Sequence, residues 1–336
     1  MIPYIHVPDM QIGPVPLHPF GLLVATGVLL VTWITTWRAK KIGYDVDLLN
    51  SFITWMLVAG FIGGHVFDEI FYHPDRIVWS AEHPWSLKER GPQTLLWLWD
   101  GLSSFGGFLG ALIGIILWKF LEWAPPDRTP EGKHLVGRLY ARKTTLPLLP
   151  FADIVLSVFP FAWVFGRGGC SVVHDHPGML AKAGALFAVE WPNAKEAPLA
   201  SDGIRLIHGS VIRYDLGLLE WMFTVIVAAA FIATWHKKVQ TGTYIAAVAL
   251  AYAPVRFVMD YLRITDTDQA DLRYGSLTFA QWMCIALFTF GAAMVFLMRQ
   301  HRQEGYDPAT LIMERPEPEE EEAPPPPPRR VKKRAS

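Results

Sequence analysis

The feature that most limits the fold is a series of seven segments, each about 20 residues long and mostly apolar. An α-helix rises about 1.5 Å per residue, so about 20 residues cross the roughly 30 Å hydrocarbon core of a bilayer. Barrel strands are about ten residues long with alternating polarity, and this chain shows no such pattern. We therefore predict an all-α fold, a polytopic membrane helical bundle of about seven transmembrane helices. The predicted spans are Phe20–Trp37, Ser51–Tyr72, Leu102–Leu121, Leu146–Phe165, Leu216–Trp235, Thr243–Tyr261 and Leu277–Met298.

The composition supports a lipid environment. Only 18% of the 336 residues are charged and 51% are hydrophobic, whereas soluble domains carry about 25% charged residues. No basic surface with interleaved aromatic residues is present, so nucleic acid is not an expected partner. Two cysteines, Cys170 and Cys284, are too few for a disulfide framework.

The orientation follows from the placement of Lys and Arg, which favour the cytoplasmic side. Without the C-terminal tail the two sides of the predicted bundle carry ten such residues each. The tail adds Arg299, Arg302, Arg315 and the basic run Arg329–Arg334 to one side. We therefore expect the N-terminus outside and the C-terminus inside.

Two parts of the chain are predicted to lie outside the spans. Residues 1–302 form the transmembrane domain, and the long loop of about residues 171–213 is expected to form a small periplasmic cap. Residues 303–336 contain an acidic run, a proline run and a basic run. Such a segment buries too little apolar area to offset the entropy of ordering, so we predict a disordered cytoplasmic tail.

A glycine-rich segment begins the third span, with Gly106 and Gly107 after Phe105. A loop that enters a helix with exposed backbone N–H groups can bind an anion. Close packing of small residues against a neighbouring helix explains the same pattern, and the spacing alone does not decide between them.

An arginine between glycines follows the fourth span, and Arg167 offers a planar guanidinium group that suits a phosphate. His174, Asp175 and His176 follow shortly after. Two His and one carboxylate are an incomplete set for zinc, so a hydrogen-bond network is the preferred interpretation. We expect neither a metal ion nor another cofactor.

A second cationic motif lies in the sixth span. Arg256 and Asp260 are four residues apart, on one face of a helix, where they can pair. Arg263 follows on a similar face. An interhelical salt bridge that fixes packing and a second contact for a lipid phosphate are both compatible with this pattern. Ionisable groups inside spans are costly and indicate function.

In this order along the chain, the motifs resemble the prolipoprotein diacylglyceryl transferase family over roughly residues 15–300. The segments that carry the resemblance are Leu17–Leu22, Gly64–His65, Ser104–Gly107, Asp153, Gly166–Gly169, Leu219–Glu220, Arg256–Arg263 and Leu277–Gln281.

The resemblance implies a multi-pass enzyme of the bacterial inner (cytoplasmic) membrane. Such an enzyme moves a diacylglyceryl group from phosphatidylglycerol to the lipobox cysteine of a prolipoprotein signal peptide, within membrane lipids. The catalytic candidates are Arg167 and Arg256, with His174 and Asp175. The substrate-binding candidates are Arg167, Gly106, Gly107, Gly169, Gly178, Asp260, Arg263 and Asp153.

The chain departs from the family pattern at three positions that usually carry Tyr, His and Asn, which are here Phe20, Phe105 and Cys170. The imidazole that would serve as base for the thiol is thus replaced. The candidate bases are then His65, His174, Asp175 and His176, with His174 or His176 preferred, and the remaining alternative is that no side chain of this protein serves as the base.

Two alternatives remain from other functional classes. A relative that binds phospholipid or lipoprotein precursors without transfer is compatible with Phe20 and Phe105. A membrane transporter would need polar residues near the bilayer midplane and paired broken helices, whereas the arginines here lie near span ends.

Overall fold

The structure is a computed structural model, and it describes most of the chain. The described residues are 2, 4–5, 7–8, 10–12, 15–72, 102–125, 137–182, 184–191, 211–237, 239–265 and 273–303. The predicted tail from residue 304 onward, and residues 192–210 of the predicted cap loop, lie outside this set.

Seven α-helices form the bundle in the part of the chain that the structure describes, and their bounds lie within several residues of the predicted spans. Six have the length and composition of membrane spans, and the third is a shorter apolar helix. The chain is thus a polytopic helical membrane protein. The helices are α1 Pro19–Ile42, α2 Val46–Phe67, α3 Ser104–Phe120, α4 Leu148–Val173, α5 Leu216–Thr234, α6 Thr243–Met259 and α7 Phe279–Gln303.

Helices α2 and α3 approach each other through glycine. A Cβ atom on Gly63 would lie 2.7 Å from the backbone oxygen of Gly106, and one on Gly110 would lie 2.3 Å from that of Ala59. Small residues allow this backbone contact, which replaces the hydrophobic driving force that is weak between helices in lipid. Elsewhere α4 contacts α1, α5 and α6, and α6 contacts α7.

Helix α4 is longer than the sequence predicts. The predicted span ends at Phe165, but the helix continues through Gly166–Cys170 to Val173 and ends at His174, whose φ is 53°. Neighbouring side chains pack on two of these glycines: a Cβ atom on Gly168 would lie 3.3 Å from the indole nitrogen of Trp221, and one on Gly169 would lie 2.8 Å from the ring of Phe20. The arginine motif therefore lies on a rigid helix and not in a loop.

Short antiparallel strands connect the helices. The largest sheet in the described part of the chain has three strands in the order β5, β7, β6 and lies mostly within the predicted cap loop, directly before α5. We call the end of the bundle where α4 ends and this sheet lies the cap end. The strands are β1 Met10–Ile12, β2 Val15–Leu17, β3 Leu121–Ala124, β4 Arg138–Ala141, β5 Pro177–Leu180, β6 Ala188–Trp191, β7 Val211–Asp215, β8 Arg273–Tyr274 and β9 Leu277–Thr278.

Candidate functional site

A buried carboxylate on α5 joins the two arginine motifs. Glu220 Oε2 lies 2.6 Å from Nε of Arg167, and Glu220 Oε1 lies 3.6 Å from Nε of Arg256. The hydroxyl of Tyr252 donates to the same Oε1 at 3.4 Å. Two guanidinium groups from α4 and α6 therefore meet at one point near the cap end.

Arg256 is held from a second side. Its terminal nitrogen Nη2 lies 3.4 Å from Oδ1 of Asp260, which confirms the expected pairing four residues apart. The Thr278 hydroxyl donates to the other oxygen of Asp260. Gln281 accepts from the Thr278 backbone N–H at 3.0 Å, so the start of α7 completes the network. The position of Arg256 thus depends on three segments.

The carboxylates lie deeper than the arginines. The side chains of Arg167 and Arg256 are 19% and 16% exposed, whereas those of Glu220 and Asp260 are 4% and 1% exposed. A guanidinium group has five N–H donors, more than these contacts use. The buried acids therefore orient the arginines, whose partly exposed ends suit an anion such as a phosphate.

One turn beyond Arg167, α4 presents the buried thiol of Cys170, which contacts the guanidinium group of Arg167 and the imidazole of His176. His176 Nδ1 lies 2.5 Å from Oδ1 of Asp175. Hydrogen bonds to Asp175 and then to Cys170 raise the pKa of His176 to about 9. In the metal-free protein His176 is therefore mainly a cation near neutral pH.

His174 has a structural setting. Its Nδ1 lies 2.5 Å from Asp215, and its Nε2 lies 3.2 Å from the backbone oxygen of Ile5. The ring stacks on Tyr4 with centroids 4.3 Å apart. Both ring nitrogens are engaged, and Asp215 also caps α5 through the N–H of Leu218. His174 thus connects the N-terminal segment, the end of α4 and the start of α5.

Aromatic rings lie against Phe105, the position where the family resemblance implies an imidazole. The ring of Phe105 lies 4.9 Å from that of Phe67 and 5.3 Å from that of Phe279, between centroids. Phe279 directly follows Thr278, which bonds Asp260, so this wall adjoins the arginine network. The site therefore has one charged side and one apolar side.

The glycine candidates have packing roles. Gly106 N–H donates to the Ser103 hydroxyl at 3.3 Å and Gly107 N–H to the Ser103 carbonyl at 2.9 Å, as expected at a capped helix start. Both N–H groups are thus used within the helix start, and a Cβ atom on Gly106 would lie 2.5 Å from the backbone oxygen of Gly63, so these observations favour the close-packing interpretation. Gly178 pairs with the backbone of Arg263 in an isolated bridge, which ties the cap sheet to the end of α6.

The structure does not bring Asp153 to this site. Its Oδ1 accepts from the backbone N–H groups of Tyr244 and Ile245, at 2.8 and 3.0 Å, at the start of α6. Asp153 and Arg167 lie fourteen residues apart on α4, which corresponds to about 21 Å along the axis. Asp153 therefore stabilises the opposite end of the bundle.

Two residues of the cluster are absent from the sequence-based site. Glu220 enters the sequence-based interpretation only through the family motif Leu219–Glu220, although a carboxylate within an apolar span is itself a signal of function. At Cys170 the sequence indicates only the loss of a polar group. Its contacts with Arg167 and His176 depend on the helical turn at the end of α4, which the sequence pattern did not predict.

The comparisons with known proteins agree with one another. The sequence model of the family described as prolipoprotein diacylglyceryl transferase matches residues 9–124 and 132–297. Proteins named phosphatidylglycerol–prolipoprotein diacylglyceryl transferase are similar to this chain across most of its length. The relative from Nitrobacter winogradskyi is 25% identical over 296 residues, 85% of this chain and 86% of the relative. That from Chromobacterium violaceum is 24% identical over 311 residues, 88% of this chain and 96% of the relative.

Proposed function

Because this chain belongs to the prolipoprotein diacylglyceryl transferase family, we propose that it transfers a diacylglyceryl group from phosphatidylglycerol to a prolipoprotein. The acceptor is the lipobox cysteine thiol at the end of a signal peptide. The membrane is the bacterial inner membrane, crossed seven times, with the N-terminus and the cap end outside. The cap sheet is then periplasmic, on the side where exported precursors emerge.

The observation that carries the proposal is the meeting of Arg167 and Arg256 at Glu220. A phospholipid headgroup offers a phosphate anion at the membrane surface, and guanidinium groups bind phosphate through paired N–H donors. Two arginines that buried carboxylates hold in place lose little freedom when the phosphate arrives. Such preorganised donors stabilise charge that develops in the transition state.

The reaction needs these charges at the leaving group. The thiolate sulfur attacks the glyceryl carbon that carries the phosphate, a C–S bond forms and the C–O bond breaks. The electron pair of that bond leaves with glycerol phosphate, and the products are a thioether and this phosphate ester. Arg167 binds the phosphate as its charge grows, and Arg256, positioned by Asp260, supplies the second contact.

The thiol must lose its proton before or during the attack, because the thiolate is the nucleophile. Among the four candidate bases, both nitrogens of His174 are engaged and His65 is fully buried. Asp175 is exposed and His176 is partly exposed. We therefore propose that the pair Asp175 and His176, next to Cys170, controls how readily the lipobox thiol loses its proton.

Mass spectrometry of a lipobox peptide tests the proposed function. The peptide is incubated with purified full-length protein and phosphatidylglycerol, and we expect its mass to increase by one diacylglyceryl group. A matched peptide with Ser in place of the lipobox Cys should remain unmodified. If the Cys peptide also keeps its mass under conditions in which a known family enzyme modifies it, the proposed transfer does not occur.

A second candidate function is binding of phospholipid or precursor without transfer, and the apolar setting of Phe105 favours it. Complementation of a strain that lacks the transferase separates the two. Growth with lipidated lipoproteins supports the enzyme. Growth failure, combined with co-purification of unmodified precursors, supports the binding protein.

A further inference from the structure

Three side chains that commonly bind metal ions meet at the end of α4. Sγ of Cys170, a carboxylate oxygen of Asp175 and a ring nitrogen of His176 all lie within 4.8 Å of one another. The sequence-based expectation of no metal considered two histidines and one carboxylate. Because α4 continues to Val173, the thiol of Cys170 lies beside Asp175 and His176. His174 is not part of this cluster, since its imidazole pairs with Asp215.

We propose that Cys170, Asp175 and His176 form a three-ligand site for Zn²⁺. In tetrahedral zinc sites the bonds to sulfur, nitrogen and oxygen are about 2.0–2.3 Å, which places the ligand atoms about 3.3–3.6 Å apart. The 4.8 Å limit means that the three atoms need to move by about 1 Å or less. The 2.5 Å contact between His176 and Asp175 would open as the metal replaces the shared proton.

The donor set and the surroundings favour zinc over harder cations. One thiolate, one imidazole and one carboxylate suit a borderline-soft ion, whereas Ca²⁺ and Mg²⁺ prefer sets made of oxygen alone. The two anionic ligands neutralise the charge of Zn²⁺, so the neighbouring Arg167 does not face a net positive centre. Cys170 is buried, but Asp175 is exposed and gives the ion a path from the cap end.

Zinc with three protein ligands keeps a fourth position open, as in catalytic sites. The use of this position rests on the proposed function: the lipobox thiol would bind there and lose its proton to solvent, because a thiol that coordinates a metal is deprotonated outright. Such a site would supply the thiolate in a protein that has Phe105 where the family usually has an imidazole. It would also place the sulfur beside Arg167, which we assign to the phosphate.

Metal titration of the purified full-length protein tests the site without an activity measurement. Zn²⁺ affinity is measured by competition with a chromophoric chelator, and Co²⁺ serves as a spectroscopic probe. We expect one equivalent of bound metal and a near-ultraviolet thiolate-to-cobalt band. Cys170→Ser should remove the band, and His176→Gln should weaken Zn²⁺ binding more than about 100-fold, since even outer-shell partners of ligands contribute about 10- to 100-fold.

The matched control is Cys284→Ser, which removes the buried thiol on α7 and should keep both the stoichiometry and the band. The inference is overturned if the unmodified protein shows no thiolate band at micromolar metal, or if Cys170→Ser binds like the unmodified protein.

A second measurement needs no substitution and remains valid if a variant fails to fold. Zn²⁺ should protect Cys170 from alkylation, read by peptide mass spectrometry, with Cys284 as the internal reference. Equal alkylation of Cys170 with and without Zn²⁺ contradicts the site. Failure of the lipobox peptide assay alone contradicts the transferase proposal and leaves the metal titration as an independent result.

Discussion

Each end of the bundle contains arginine and carboxylate side chains, but the two arrangements differ in which side chains stay accessible. At the opposite end from the cap, Arg38 is only 8% exposed and donates to the Trp235 carbonyl and the Tyr244 hydroxyl. Its guanidinium carbon also lies 5.2 Å from the Trp235 ring centroid. Asp153 binds backbone N–H groups of α6 there.

At the cap end the carboxylates are the buried members and the arginines are partly exposed. Glu220 touches guanidinium groups from two helices, and Asp260 holds one of them from behind. A charge enclosed by carbonyls, hydroxyls and rings serves packing, whereas a charge that is oriented but accessible can bind a ligand. Both ends contain the same types of residue. The exposed fraction of the arginine therefore distinguishes a structural arrangement from one that can bind a ligand, whereas the residue types do not.

The largest expected effect follows from Arg167→Lys, which keeps the charge beside Glu220 but removes the fork that binds a phosphate. We expect the rate of lipobox peptide modification to fall about 10²- to 10³-fold, as for loss of one preorganised donor. Arg38→Lys is the matched control at the other end, and its rate per folded molecule should remain near that of the unmodified protein. Equal losses in both variants would contradict the distinction between the two ends.

Asp260→Asn should lower the same rate about 10- to 100-fold, because Arg256 loses the carboxylate that orients it and small displacements of a positioning group are costly. The double variant Arg256→Lys with Asp260→Asn sharpens the result. If Asp260 acts through Arg256, the second substitution adds little to the first. Fully additive losses would indicate that Asp260 acts independently.

Thr278→Val keeps the shape of the side chain and removes the hydroxyl, which donates to Asp260 and also accepts from the backbone N–H of Gln281 at the start of α7. A hydrogen bond contributes about 1 kcal/mol net, which corresponds to a change of about fivefold. We expect a rate decrease of this size in the peptide assay. Thr289→Val is the control, since its hydroxyl bonds only a carbonyl within α7 among the described residues, and it should leave the rate unchanged.

Asp153→Asn should have the smallest effect on the rate and a clear effect on stability. An amide can replace one acceptor but not the charge at the start of α6, so we expect the free energy of unfolding to fall by about 0.5–2 kcal/mol. Thermal unfolding in detergent measures the loss, and the peptide assay measures the rate. A large rate loss in molecules that remain folded would contradict this structural role and would support a role for Asp153 in substrate binding.

The sequence predicts the helices well, because an apolar run of about 20 residues has few alternatives in a membrane. It also predicts the pairing of Arg256 with Asp260, since four residues form one helical turn. The continuation of α4 past Phe165 was missed because glycines usually end or weaken helices. Packing of Phe20 on Gly169 provides the stabilisation that the local sequence lacks.

The site itself depends on contacts between distant segments. Glu220 on α5 pairs with Arg167 of α4 and Arg256 of α6. The spacing of residues along α5 does not indicate which side chains of other helices Glu220 contacts. The family resemblance assigns Asp153 to substrate binding, because the segments that carry it come from both ends of the bundle. Only the fold separates the residue that caps a helix from the residues that face a ligand.

The central claim is that Arg167 and Arg256 bind one lipid phosphate. The most direct test is the affinity of the purified protein for phosphatidylglycerol and for diacylglycerol, which lacks the phosphate, followed by tryptophan fluorescence, because Trp221 lies against Gly168 beside the site. We predict that Arg167→Lys and Arg256→Lys each weaken phosphatidylglycerol binding at least about tenfold, a loss of about 1.4 kcal/mol, and leave diacylglycerol binding unchanged. Equal losses for both lipids, or no loss for either, would contradict the claim.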